Sequence, residues 1–471
     1  MTSIIKHNAF SKISVLLFAL VTLQSCFVAK DYERPEFDET PNLYRTDNLP
    51  SDSTSMADVS WKDLFTDPFL NQYIEEGLQN NIDIRIAIQQ MLAAESYAKQ
   101  GKAGYLPSLD LSGTATTTKY SKNSQFGSIF SGSVDSYDLN ASLSWEADIW
   151  GKIRSGKRAT DASYLQSVAA HKAVKTLLVA QIATTYYQLL ALDAQLKITN
   201  ESILTRKKSV ETIQALKDAG RVNQVAVDQS IAQFNSASAL KIDIESAIFK
   251  TENTLNLLLG KNPSSIERSD LEGQKLDTEM KVGVPAVLLR NRPDVMAAEY
   301  GLINAFELTN VAKSQFYPSL TLTASGGFQS LDIKDWISAN SIFSSIVGGL
   351  TQPLFNKRSI RTQHEVAIAQ QEQALLNFEK TLLTAGNEIS NTLYNYDAEK
   401  RKIVFRENEV VALRKAEINS EELLNYGLST FLDLLTARTA ALNAELNVVD
   451  SKLQQLLNVV DLYEALGGGW K

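Results

Sequence analysis

Pro107-Ser108-Leu109-Asp110-Leu111 and Pro318-Ser319-Leu320-Thr321-Leu322 are two copies of one motif, set 211 positions apart in a chain of 471 residues. The same offset carries Asp83-Ile84 onto Asp294-Val295 and Ala87 onto Ala298. Further along, Ile149-Trp150-Gly151-Lys152 faces Leu354-Phe355-Asn356-Lys357 at an offset of 205, and Gly220 matches Gly427 at 207. Constant blocks separated by slightly shifting offsets are what loop insertions produce in a duplicated fold.

Each copy has the same layout. A helical stretch (about 67 to 101, then about 294 to 313) ends at an aromatic and a proline, and two strand-like segments separated by a polar loop follow. Beyond them, neither 152–262 nor 354–471 contains a proline, and each run breaks at a glycine placed as a helix C′ residue, Gly220 or Gly427. The helix before Gly220 should span roughly 60 residues, about 90 Å at the α-helical rise. Its expected apolar stripe is thin and small: Ala169, Ala170, Ala173, Leu177, Ala180, Ala183 and Thr184. Such a helix cannot bury itself alone and calls for coiled-coil neighbours. The stretch 263–285 is irregular and polar and reads as a linker. The organisation expected is 1–25 leader, 26–66 extended segment, 67–262 first repeat, 263–285 linker, 286–466 second repeat and 467–471 tail.

Tyr137, Leu139, Ala141, Leu143 and Trp145 alternate with Asp138, Asn140, Ser142, Ser144 and Glu146, the period of a half-buried strand. Strands are expected at about 107–120, 134–148, 318–330 and 341–354; the last alternates poorly and rests on the repeat alone. A soluble sandwich and a transmembrane barrel both fit such alternation. The flanks favour the barrel: Tyr105, Trp145 and Trp150 border the first pair, and Phe316, Tyr317 and Phe355 the second, as an interfacial girdle would. Basic residues follow at once, Lys152, Arg154, Lys157 and Arg158 in one copy and Lys357, Arg358 and Arg361 in the other, where lipid headgroups should lie. Four strands cannot close a barrel, since the smallest have about eight, and open edges are forbidden in lipid. Closure must come from oligomerisation.

The N-terminus carries a charged start (Lys6, His7), an apolar run from Ile13 to Val21 too short to span a bilayer as a helix, and Leu23-Gln24-Ser25-Cys26. This resembles a secretory leader ending in the bacterial lipobox, which implies a mature N-terminus acylated at Cys26, the only cysteine. Phe27 follows, in place of the Asp that retains lipoproteins at the inner membrane. Beyond it no window is apolar enough for a transmembrane helix. A net charge of −8 without a clustered basic face argues against nucleic acid as partner.

Nearly the whole chain from Cys26 onward resembles the TolC family of outer-membrane factors, in its lipoprotein branch of the OprM and NodT type. The marks are the 61–81 stretch, Arg292-Pro293-Asp294-Val295 with Ala298-Glu299, the two Pro-Ser-Leu turns and the two glycine breaks. The resemblance implies a mainly α chain with a transmembrane β-barrel, three chains each giving four strands to one barrel, and helices forming a periplasmic tunnel. It implies as partners two further copies, a periplasmic adaptor and an inner-membrane pump, usually of the RND class, with drugs, dyes, detergents or metals as cargo. It also implies a gate: the family's acidic residue six positions past the second glycine falls on Asp433, while a second family acid three residues on is Thr436 here. Thr430 and Asp433 equally read as a capping box.

Covalent chemistry is not indicated. Residues 151–158 lack one position and the final Ser or Thr of a P-loop, and His7, His171 and His364 are too far apart in sequence to suggest a metal or catalytic cluster. No cofactor is expected beyond the lipid on Cys26. The alternatives to an efflux duct are the outer-membrane duct of a one-step protein secretion system and a lipid-anchored structural coiled coil.

Overall fold

The computed structural model describes residues 28–35, 59–129, 132–274 and 291–470. The leader, Cys26 and the end of the linker lie outside them. The elements are helices α1 (Trp61–Leu64), α2 (Pro68–Asn80) and α3 (Ile82–Ala103), strands β1 (Ser108–Lys119) and β2 (Ser133–Ala147), and helices α4 (Lys152–Asp218) and α5 (Gln224–Leu258). The second copy supplies α6 (Pro293–Ser314), β3 (Ser319–Ser330), β4 (Ile342–Thr351), α7 (Ser359–Asn425) and α8 (Phe431–Ala465). The copies match in length: α3 and α6 have 22 residues, α4 and α7 have 67, and α5 and α8 have 35.

Their punctuation matches too. Gly220 and Gly427 have φ of +73° and +74°, which a side chain would resist. Each closes a Schellman motif: Gly220 N donates to Lys217 O and Arg221 N to Leu216 O, as Gly427 N does to Leu424 O and Leu428 N to Leu423 O. Helices restart under side-chain caps, Asn223 over Ala226 N and Thr430 over Asp433 N. The same backbone pattern ends α5 at Gly260 and α8 at Gly467, a repeated pair absent from the sequence reading.

Two expectations need correction, the single first helix and the thin stripe of α4. The single helix at 67–101 is two, because Asn81 leaves helical geometry, caps α3 through Asp83 N (2.8 Å) and Ile84 N (3.1 Å), and donates its amide to Leu258 O. The linker is irregular over its described part, 263–274, apart from one short turn, and it is anchored: Ile266 and Leu271 are buried, and Arg268 pairs with Asp193 (2.5 Å) and Glu252 (2.6 Å). The stripe of α4 is not thin. From Leu178 to Ala191 only Gln181 and Gln188 are exposed, whereas Ala170 and Leu177 face solvent. Large residues outside the expected stripe, Leu178, Val179, Ile182, Tyr186, Tyr187, Leu189 and Leu190, do the burying.

The chain divides into two compact units. One contains Met91–Ser167 and Ala298–Phe378 with residues 28–35, and holds the strands. Its sheet runs β1-β2-β3-β4, all antiparallel, so β2 and β3 join the two copies directly, with Trp145 opposite Leu322. Residues 28–35 are seated on helices of this unit: Asn310 bonds both Lys30 N (3.3 Å) and Lys30 O (2.9 Å), and Arg158 bridges Asp31 (2.7 Å) to the buried Glu307 (3.5 Å).

The other unit contains Glu36–Gln90, Val168–Ala297 and Glu379–Lys471. Its core packs Trp61, Phe65, Leu70 and Ile74 against Tyr186, Tyr187 and the end of α8. Asp67 caps α2 at Phe69 N and accepts the Tyr186 hydroxyl (2.9 Å). The tail is packed as well: Trp470 donates to Asn291 O (3.0 Å) and lies under Lys172. Beside it, Arg292 binds Asp294 (2.6 Å), Glu388 (2.7 Å) and the Ala465 carbonyl (2.8 Å). Burial, then Asp461 and Glu388, push the Glu464 carboxyl up to about 7, against the pull of Arg292. A folded acid raised above its unfolded value of 4.5 contributes stability that is full below that value and lost as pH rises through about 7. Thermal unfolding of the protein in detergent between pH 5.5 and 8.5 should therefore show a Tm that falls with pH, and Glu464→Gln should flatten that part of the slope.

Candidate membrane interface and duct elements

Residues paired across an antiparallel ladder point to the same side of the sheet. The register puts Leu109 beside Leu143, Ala324 and Ile346, puts Leu111 beside Ala141, and puts Ala147 beside Leu320 and Leu350. One face is thus apolar across all four strands, and it is exposed: Leu111 is 75%, Ile346 78% and Leu350 68% accessible. The opposite face carries Asp110, Ser112, Thr114, Asp138, Asn140, Ser142, Thr323 and Ser325. In β4 the register places Phe343 and Val347 on the polar face, opposite Gly327 and Thr323, which is why its sequence alternates poorly. The strand ends at Thr351, short of the expected 354. Among the described residues β1 pairs only with β2 and β4 only with β3, so both outer edges carry unpaired backbone groups.

The aromatic residues expected at the interface gather at the helical ends of these strands. Trp145 Nε1 donates to Tyr105 O (3.0 Å), and Trp150 Nε1 donates to Pro318 O (2.7 Å) while its ring stacks on Tyr317 at 4.9 Å. Phe355 is fully exposed and Tyr105 half so. Both indole N–H groups are thus satisfied, Trp145 keeps part of its ring exposed, and Trp150 is half-buried against Tyr317. The basic cluster is less free than its sequence implied. Lys152 binds Glu146 (3.0 Å), Lys157 binds Asp161 (3.0 Å), Arg358 binds Glu365 (3.0 Å), and Arg158 turns to Asp31 and Glu307. Lys357 is exposed, with φ of 54°. The 151–158 stretch holds no phosphate cradle, because Asp148 already accepts Ile153 N (2.9 Å) and Arg154 N (2.8 Å).

Asp433 sits at the start of α8 with both arms of the capping box made: it accepts Thr430 N (2.9 Å), and its own N donates to Thr430 Oγ1 (3.3 Å). The Thr430 hydroxyl and backbone, then the Ser429 hydroxyl, hold its carboxyl below the ordinary value, although the side chain is exposed. Thr436 bonds back to Leu432 O. Close by in sequence, a buried network that sequence reasoning missed links α4, α7 and α8. Arg438 contacts Ser209, Glu417 (3.3 Å) and Glu421 (2.9 Å), and Arg414 joins Glu417 (2.7 Å) to Glu445 (2.5 Å). Arg438 and Glu417 are both over nine-tenths buried; only their charge within otherwise solvated helical turns could have hinted at it.

His171 and His364 fall in different units, the latter edge-on to Phe316. Among the described residues no group of three His, Cys, Asp or Glu could hold a metal, and no helix is long and apolar enough to cross a membrane. A sheet with one bare apolar face, a polar reverse and two open edges remains the feature to account for. The model of the family described as outer membrane efflux protein matches residues 73–261 and 284–468. The chain belongs to the outer membrane efflux protein family.

Relatives extend along its length. The solvent efflux pump outer membrane protein SrpC of Pseudomonas putida is 27% identical, covering 97% of this chain and 98% of its own. The probable outer membrane lipoprotein SilC of Salmonella typhimurium is 25% identical over 94% of this chain and 95% of its own. Among solved structures, the outer-membrane channel OprN matches with a TM-score of 0.85 and 25% identity, over 94% of this chain and 100% of its own. VceC of Vibrio cholerae matches with 0.80 and 27%, over 87% and 98%. This family member is an outer-membrane efflux channel protein, mainly helical with a four-stranded antiparallel sheet. If its apolar face meets lipid, Leu143→Arg should cost about 2–4 kcal/mol near mid-bilayer and Ser142→Arg far less. Urea titration in lipid vesicles measures both, and the reverse order would exchange the two faces.

Proposed function

We propose that three copies of this chain close their sheets into one twelve-stranded barrel (4 × 3) and bundle their helices into a duct, through which an inner-membrane pump exports small toxic molecules. The observation that carries this is the sheet: an apolar face exposed on every strand calls for lipid, while the two edges left unpaired among the described residues cannot persist in hydrocarbon and need partner strands. The protein is a passive conduit with no catalytic step and no cofactor. Its partners are a periplasmic adaptor and a pump of the RND class, with lipid around the barrel. Curated relatives are named for toluene, antibiotic and cation efflux, and solvents, drugs or cations are the cargo classes proposed here.

Cys26 carries the lipid and Met1 to Ser25 are removed. The barrel anchors as well, so Cys26→Ser should mislocalise or slow assembly without abolishing transport. Mass spectrometry of the mature N-terminus decides it, an unmodified Cys26 being the contrary result.

Asp433 serves as both cap and gate. Symmetry would bring its copies near the axis, where like charges attract cations and resist joint ionisation. Native mass spectrometry in mild detergent should give a trimer, and planar bilayers a conductance that a merely structural coiled coil would lack. Asp433→Asn should lower cation selectivity and sensitivity to trivalent-cation block with folding stability nearly unchanged. Lost stability with selectivity intact would leave Asp433 a cap alone.

A further inference from the structure

The polar face of the sheet has a one-sided charge. Along the strands of that face the ionisable residues are Asp110, Asp138 and Glu146, and there is no lysine or arginine. Lys119 falls on the other face, opposite Ser133. Glu146 is neutralised by Lys152 at 3.0 Å. Asp138 accepts only the Ser136 hydroxyl (2.8 Å), and among the described residues no ion pair engages Asp110 or Asp138. The three acids are evenly stepped: Asp110 stands opposite Ser142, so the levels are 146, 142 and 138 on β2. Four residues of strand separate successive levels, about 13 Å. From the helical end outward, a neutral pair is followed by two bare carboxylate levels.

We propose that the barrel lumen is a charge filter of its own, in which Asp110 and Asp138 favour cationic solutes and retard anionic ones on the way out. The inference rests on the closed ring proposed above. With three copies the lumen holds six uncompensated carboxylates (2 × 3) on walls lined mostly by hydroxyls, amides and glycine, with Val134, Phe343 and Val347 as apolar interruptions. The Debye length is about 10 Å at 0.1 M salt and 3 Å at 1 M, so adjacent levels act on a passing ion in dilute salt and are screened in concentrated salt. Rings of carboxylates select cations in this way. The ligands are small inorganic cations and cationic amphiphiles, attracted without a fixed binding pose.

The test uses the full-length lipoprotein in planar bilayers under a KCl gradient of about 10 to 100 mM. Asp433→Asn is the background, so that charge at the other end does not mask the lumen. Adding Asp110→Asn and Asp138→Asn should lower the cation-to-anion permeability ratio by about twofold or more, and the difference should vanish near 1 M salt. The charge-retaining pair Asp110→Glu and Asp138→Glu should restore the ratio. Each single Asn substitution should give part of the effect, so poor assembly of the double variant still leaves a reading. An unchanged ratio in dilute salt, or a change that persists at 1 M, overturns the filter. A wild-type protein that does not conduct overturns the closed ring instead, and the filter falls with it.

Discussion

Unpaired backbone along β1 and β4 is the constraint on which the rest depends. A peptide group left without a partner in hydrocarbon costs several kcal/mol, and here two whole strand edges stand open beside an exposed apolar face. The apolar face is ill suited to water, where so large a bare patch marks a surface meant to be covered, and the open edges are ill suited to lipid, where no water can satisfy them. The sheet is therefore half of a statement, completed by lipid on one side and by strands of other copies at its edges.

Duplication supplies this sheet economically. Each copy contributes one hairpin, and the central β2–β3 pairing fuses them so that Trp145 meets Leu322 and Leu143 meets Ala324. The helices repeat just as closely, in length and in their Schellman ends and side-chain caps. Divergence is concentrated where the copies take different jobs. Asn81 caps α3 in the first copy, while the corresponding place in the second is Arg292, which ties α6 to Glu388 and to the end of α8. Positions that keep backbone geometry are shared; positions that join neighbouring elements have drifted.

Buried charge in this protein follows the rule that it is paired or costly. Arg292 and Arg438, which are buried, and Arg268, which is nearly so, each hold two carboxylate partners. Glu464 shows the cost: burial and neighbouring acids disfavour it as an anion, and its carboxyl is pushed up accordingly. The exposed acids behave differently. Asp433 is exposed, and the cap it makes holds its carboxyl in the ionised form.

Local signals were legible without any coordinates. Periodicity, glycine stops, the Thr430–Asp433 cap and the repeat itself depend on residues within a few positions of each other, or on comparing the chain with itself. They were enough to place four strands and two long helix pairs, and to set Tyr105, Trp145, Trp150, Tyr317 and Phe355 at or beside the strand ends. What the sequence left undetermined was everything set by a distant partner. The face on which Phe343 and Val347 lie is decided by register with β3, since a shift of one residue would invert it. The break at Asn81 depends on the Leu258 carbonyl, and the burial of Leu178 to Ala191 on helices drawn from both ends of the chain. Arg158 reads as a headgroup ligand until Asp31 and Glu307 are brought to it. Local propensity fixes where the chain starts and stops its elements; only long-range packing decides which side of each element is inside, because that side is defined by what arrives from elsewhere.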